Sequence, residues 1–388
     1  MNFDLSDEHR MLADLVEGFV RDHLLPLEPR ILAREAAGAA VQLTEEERAD
    51  IDRHAKDLGL WGMDAPIDVG GSDLPAVAMV AVNVALGATI TPYVFPPDSP
   101  NLRMLDATVN EAQRQRYLVP YVAGTASSAI AISEPGAGAD PSGMRTRAVR
   151  DGDDWILNGR KIWISKADYA DFSIVMALTG PAGERRGAIS AFLVDRGTPG
   201  MEVTRKIPMI GGHTTYEVVF EDCRIPLSNL LGREGMGFEP MQLRLGTRRL
   251  EMASWCIGIA ERALKMLISH AKQRETFGQV LSDRQAIQWW IADAQTKIKL
   301  ARLLAYDIAC RLDRSEDVRT LISMIKVFAT EMATEIVDHA MQAHGAMGMT
   351  KELPLHLMAA EVRLMRIYDG PSEVHRWVVA RDTIRRAP

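Results

Sequence analysis

From Leu5 to about Ala123 the apolar residues recur at helical spacing. Leu12, Leu15, Val16 and Phe19 fall on one stripe, and Leu58, Leu60 and Trp61 close another. PIDVGG and TPYVFPPDSPN interrupt the pattern and read as loops, by their Pro, Gly and Asp content. Near Ser127 the period changes. SSAIAIS, DFSIVMAL, AISAFLVD and TYEVVFEDCRI read as strands, with RGTPGM as a turn between two of them. WILNGRKIWIS reads as two strands around an Asn158-Gly159 turn, because Asn-Gly adopts the left-handed pair that a tight hairpin needs. After LLGREGMGF the helical spacing returns. Leu250, Ala253, Ile257, Leu264 and Leu267 mark one face of a helix running to about Gln273. Ile287, Ile291, Ile298, Leu303 and Leu304 mark a second; a third begins near Val318 and a fourth near Pro354. The pattern predicts an α+β fold: an N-terminal all-α domain over 1–125, a β-barrel-like or sandwich domain over 126–233, and a C-terminal antiparallel four-helix bundle over 234–388.

Composition narrows the classes. A chain of 388 residues with a net charge of -7 does not suit a general nucleic-acid binder. Cys223, Cys256 and Cys310 lie far apart and fit no zinc or redox spacing. The longest apolar stretch, AVAMVAVNVALGATI, is too short to span a bilayer and carries Asn83, so a buried helix is expected. MNFDLSDEHR lacks the basic-then-apolar order of a signal peptide, and a cytoplasmic location is expected.

Four stretches carry candidate chemistry. ISEPGAGADPSG, Ile132 to Gly143, follows a strand but lacks the third glycine and the helix of a dinucleotide fingerprint. It reads as a wide turn or a ligand-facing loop. In KIWIS, strand alternation puts Lys161, Trp163 and Ser165 on one face, either to pack on a neighbour or to cover a planar ring. In QRETFGQ, Gly278 reads as the C-cap of the long helix, with Lys272 and Arg274 offsetting its dipole. In IYDGPSEVHR, Asp369-Gly370-Pro371 stops one helix before Ser372-Glu373 starts another, so Asp369 reads as a helix cap or as an acid held in a break. His339 and His344 do not share a helical face cleanly, and no metal site is expected.

Together ISEPGAGAD, LNGRKIWIS, VVFEDCRIP, GREGMGF, RETFGQ, MQAHGAMGMT and IYDGPSEVHR, in this order, resemble the acyl-CoA dehydrogenase family across nearly the whole chain. The resemblance implies FAD held between the β domain and the C-terminal bundle. Ile130, Ala131, Ile132, Ser133, Gly138 and Ala139 would line the flavin. Trp163, Ile164 and Ser165 would flank its ring, and Pro371 and Glu373 would contact it from the turn. Arg274, Phe277 and Gln285, with Gln342, Ala343, Gly345 and Ala346, would reach the flavin of a neighbouring subunit. A homo-oligomer is thereby implied, a tetramer ahead of a dimer. Ala139, Arg249 and Gly370 would meet the acyl-CoA. Asp369 falls on the catalytic base, which would take the α proton while the β hydrogen leaves as hydride. The acceptor implied is an electron-transferring flavoprotein.

The chain also departs from the pattern. Asp369 stands where Glu is usual, which shortens the reach by roughly 1.5 Å, one C–C bond. Arg248 stands where some members carry the base, and Glu251, one turn on, is a second candidate. Ala139 replaces a common Ser, and Pro371 and Glu373 replace Thr and Gln types. Trp255 is a candidate to shorten the acyl pocket. Two other functions are compatible with these residues: nitroalkane oxidase-like chemistry, which resembles this chain in its aspartate base, and a flavin-free helical scaffold.

Overall fold

The computed structural model describes residues 6–180 and 188–387. Leu5, where the N-terminal pattern starts, lies outside them. Helices α1 Asp7–Phe19, α2 Glu28–Ala36, α3 Glu45–Asp57, α4 Ala76–Leu86, α5 Ser99–Asp106, α6 Glu111–Gln113 and α7 Val119–Ala123 come first. Strands β1 Ser128–Ala131, β2 Arg147–Asp151, β3 Asp154–Ile164, β4 Phe172–Leu178, β5 Ile189–Asp195, β6 Met201–Pro208, β7 Thr214–Pro226 and β8 Leu230–Leu231 follow. Then come α8 Phe238–Gln273, the short strands β9 Glu275–Thr276 and β10 Gln279–Val280, α9 Gln285–Asp313, α10 Arg319–His344, α11 Leu355–Met365 and α12 Ser372–Arg386. The order is helical, then β, then helical, as expected. No helix among the described residues is long and apolar enough to cross a membrane.

The chain forms two compact units. One comprises residues 1–64, 74–95 and 248–388. Its core joins α4 with α8, α9, α10 and α11 through small and branched residues such as Ala260, Ala263, Ala301, Ile325, Ala333 and Val337. Close helix approach depends on glycine at one crossing. A Cβ on Gly258 would lie 2.1 Å from the Val84 carbonyl oxygen, and one on Gly87 would lie 2.3 Å from that of Trp255. Beside this crossing the expected buried helix keeps its one polar side chain satisfied: Trp255 Nε1 donates to Asn83 Oδ1 at 2.8 Å. A buried ion pair ties α2 to α8, with Arg262 Nη1 and Nη2 each donating to a Glu28 carboxylate oxygen at 2.6 Å.

The other unit comprises residues 65–73 and 96–247. Its sheet runs in the order β6-β7-β3-β2-β4-β5-β8, with β1 pairing in parallel to β4. β4 and β5 are buried almost end to end, which explains why they are mostly apolar on both faces. One strand-level expectation needs correction, and one strand was not anticipated. Asn158-Gly159 is no hairpin turn: β3 runs straight through it, with a register shift against β7. A Cβ on Gly159 would strike Thr146 Oγ1 at 2.4 Å, and Asn158 spends its amide on Asp222 of β7. The hairpin turn is Gly152-Asp153, closed by the Asp151–Asp154 pair. β6 escapes the sequence pattern because most of its residues are exposed, leaving no apolar alternation to read.

Gly278 is also not a helix C-cap. α8 ends at Gln273, and Phe277-Gly278, both left-handed at φ 53 and φ 75, turn the β9–β10 hairpin.

Candidate active site

The break between α11 and α12 is built from backbone geometry. After Met365 the helix ladder closes with the Tyr368 N–H donating to the Leu364 carbonyl. Asp369 and Gly370 then take left-handed conformations, φ 52 and φ 99. Asp tolerates that region better than most residues, and glycine is needed next to it: a Cβ on Gly370 would sit 2.8 Å from His375 Nε2. The cap position of α12 is Pro371, without a side-chain cap. Asp369 therefore stands two residues ahead of the cap position, and is not the cap of α12.

Side chains from three helices gather on this turn. From α8, Arg249 Nε donates to the Asp369 carbonyl at 2.8 Å. From α12, His375 Nε2 donates to the same carbonyl at 3.3 Å, which leaves Nδ1 to accept from the Ser323 hydroxyl at 3.1 Å. From α10, Lys326 Nζ donates to the Gly370 carbonyl at 2.6 Å. Burial pulls His375 down to about 4, with Arg249 and Lys326 adding to the effect. Burial also pulls Lys326 down to about 8, against the upward pull of Asp369. Burial pushes the Tyr368 phenol well above its ordinary value, and Glu361 adds to that. Asp369 itself is half-buried. Glu251, the second candidate acid, is buried in an ion pair with Arg248 at 3.0 Å.

The second cluster lies in the β unit. Strand alternation fails at its end. A register shift between Lys161 and Ile164 and a left-handed Trp163, φ 63, turn the backbone. Lys161 is consequently wholly buried, not on the face of Trp163 and Ser165. Its ammonium donates to Glu134 Oε1 at 2.8 Å and to the Ile132 carbonyl at 3.0 Å. The Glu134 carboxylate also accepts the Arg145 and Thr146 backbone N–H groups, at 2.6 and 3.0 Å. Burial pushes Glu134 up, but Lys161 and these donors outweigh it and hold it below the usual carboxylate value. Trp163, 52% exposed, and the exposed Ser165 flank buried Ile164. Ile130, Ile132 and Ser133 are half-buried and Ala131 is buried. Gly138 and Ala139 are exposed, and a Cβ on Gly136 or Gly138 would meet nothing within 4 Å.

The remaining candidates sit in the helical unit. Arg274, Phe277 and Gln285 are exposed, Phe277 at 99%. Gln342, Gly345 and Ala346 are exposed at the end of α10, and Ala343 is half-buried. Pro371 is half-buried and Glu373 exposed. Sequence reasoning missed Lys326, His375, Ser323 and Glu134. Lys326 offered one signal, a lone cation inside the apolar SMIKVFA run. Among the described residues no group of three or more His, Cys, Asp or Glu could hold a metal ion.

Families described as the N-terminal, middle and C-terminal domains of acyl-CoA dehydrogenase match residues 6–125, 129–223 and 235–384. (R)-Benzylsuccinyl-CoA dehydrogenase of Thauera aromatica is 37% identical, over 98% of this chain and 96% of its own. The caffeyl-CoA reductase-Etf complex subunit CarC of Acetobacterium woodii is 33% identical, over 97% of this chain and 98% of its own. The solved butyryl-CoA dehydrogenase of Megasphaera elsdenii superposes with a TM-score of 0.86 at 30% identity, covering 99% of this chain and all of that one. The chain belongs to the acyl-CoA dehydrogenase family, FAD-dependent oxidoreductases, which sets the flavin-free scaffold aside. The residues present fit a flavin: an outward-turned indole, a hydroxyl beside it and a glycine loop open to close approach offer a planar, hydrogen-bonding surface.

Proposed function

We propose that this protein dehydrogenates an acyl-CoA thioester between its α and β carbons, with Asp369 as the base. The observation that carries this reading is the Asp369-Gly370 turn, which lifts one carboxylate out of the helical ladder and fixes its backbone from three helices. Asp369 takes the α proton. A positioned carboxylate does this well where water is excluded, and its half-buried setting suits that task. Backbone N–H groups of the turn are suited to stabilise negative charge on the thioester oxygen as the proton leaves. Bound FAD supplies the acceptance of the β hydrogen with its electron pair. Ile130, Ala131, Ile132, Ser133, Gly138, Ala139, Trp163, Ile164 and Ser165 would hold it, with Pro371 and Glu373. Arg249 holds the Asp369 carbonyl; Arg249, Gly370 and Ala139 are the residues proposed to meet the acyl-CoA. The ion pair with Arg248 argues against Glu251 as base.

Relatives named for CoA thioesters favour this reading over nitroalkane chemistry. The relative named as part of an Etf complex supports an electron-transferring flavoprotein as acceptor. Phe277 at 99% exposure, with Trp289 and Met349 also exposed, supports a homo-oligomer completed at these faces, a tetramer ahead of a dimer. A monomeric mass by light scattering would oppose that. The division into 1–125, 126–233 and 234–388 belongs to the same reading; limited proteolysis cutting first in the middle of these spans would count against it.

The deciding experiment is anaerobic flavin bleaching by butyryl-CoA, phenylpropionyl-CoA, benzylsuccinyl-CoA and nitroethane. The expected result is bleaching by at least one thioester and none by nitroethane, and the ranking of thioesters sets the acyl group. Asp369→Asn should keep its yellow colour and lose turnover. Bleaching by nitroethane alone, or turnover surviving in Asp369→Asn, would overturn the proposal.

A further inference from the structure

The mechanism does not use the buried cation that lies against the Asp369-Gly370 turn. Lys326 is wholly buried within α10, a position that core packing alone would fill with an apolar side chain. Its ammonium donates to the Gly370 carbonyl at 2.6 Å. That carbonyl belongs to the second of two successive left-handed residues, the first being Asp369. The neighbouring Asp369 carbonyl is held by Arg249 and His375. The two carbonyls of the turn are thus fixed by donors from α8, α10 and α12. Charged and titratable groups face Lys326 from each packed element: Asp369 in the turn, Arg249 and Cys256 on α8, and Glu373 and His375 on α12. Asp369 leads those that favour the ammonium, and Arg249 leads those that oppose it.

We propose that Lys326 is a positioning residue for Asp369: its buried ammonium pins the Gly370 carbonyl and holds the left-handed turn that presents the carboxylate. This rests on Asp369 being the base. Two substitutions test the hydrogen bond. Lys326→Met removes the donor. Lys326→Gln keeps a donor.

The test uses FAD-loaded enzyme and the best of the three thioesters with a dye acceptor. In Lys326→Met, kcat should fall about tenfold or more with little change in KM, because the loss is in the transition state. Lys326→Gln, which keeps a donor, should recover most of kcat at the same KM. Wild-type kcat in Lys326→Met would overturn the proposal, as would a loss that Lys326→Gln does not recover, or a rise in KM matching the fall in kcat, the mark of a merely structural residue. If Lys326→Met does not fold, a tenfold loss of kcat in Lys326→Gln despite the donor it keeps overturns the proposal alone. Asp369→Asn runs beside them: its survival removes the base assignment, whereas an inactive Asp369→Asn next to unaffected Lys326 variants removes only the role of Lys326.

Discussion

Substituting Ala for Gly258 is the smallest change that should damage this fold. The residue lies on α8 where it crosses α4, and its ideal Cβ would be 2.1 Å from the Val84 carbonyl oxygen and 2.8 Å from Gly87 Cα. Ordinary carbon–oxygen contact is above 3 Å, so the two helices must separate by roughly 1 Å, and backbone has no rotamer to yield. Overpacking of this kind costs about 1–3 kcal/mol, and a backbone-to-backbone clash belongs at the upper end. For a chain of this size about 3 kcal/mol lowers the melting temperature by roughly 3–5 °C. Scanning calorimetry at a fixed heating rate, on FAD-loaded protein, reads the shift. Gly18→Ala is the matched control. Gly18 lies inside α1, and its added Cβ would meet only the flexible end of Arg21 at 3.6 Å. There the helix propensity of Ala should stabilise by about 0.5–1 kcal/mol. The same chemical change therefore has opposite signs at two helical glycines. If Gly258→Ala melts with wild type or above it, the close crossing is not what this argument takes it to be.

Two further outcomes follow from buried ionisable groups. His375 sits at about 4 in the fold, below its ordinary 6.5, so the unfolded chain binds the extra proton between those values. The stability this provides is present above pH 6.5 and lost as pH falls toward 4, a total of about 3 kcal/mol; urea unfolding at several pH values should show wild type losing this much relative to His375→Gln, and a difference that stays flat with pH would refute it. Lys161→Met strands the Glu134 carboxylate in the β unit, which should cost about 3–5 kcal/mol and loosen the flavin-facing loop; flavin release followed by fluorescence should quicken, Lys161→Met/Glu134→Gln should recover part of the loss, and a single variant within about 1 kcal/mol of wild type would count against the clamp.

The sequence by itself determined the order of elements, the long helices and the buried strands. These follow from periodicity, which depends only on which residues must leave water. α8 stops at Gln273 where the apolar spacing stops, and β4 and β5 are mostly apolar because both faces are covered. The family was also legible, since its motifs keep their order along the chain. Tertiary structure alone decided the turns and the polar cores. Asn158-Gly159 carries the strongest hairpin signal in the chain, yet it lies inside a strand because Thr146 crowds Gly159 and Asp222 takes up the Asn158 amide. Lys161 looked like a surface neighbour of Trp163, and a left-handed residue reversed it into the core. His375 and Glu134 had no local signature, and Lys326 only a lone charge in an apolar run, because what makes each tolerable is a partner distant in sequence. A buried charge is settled by what surrounds it in space, and no window along the chain contains that.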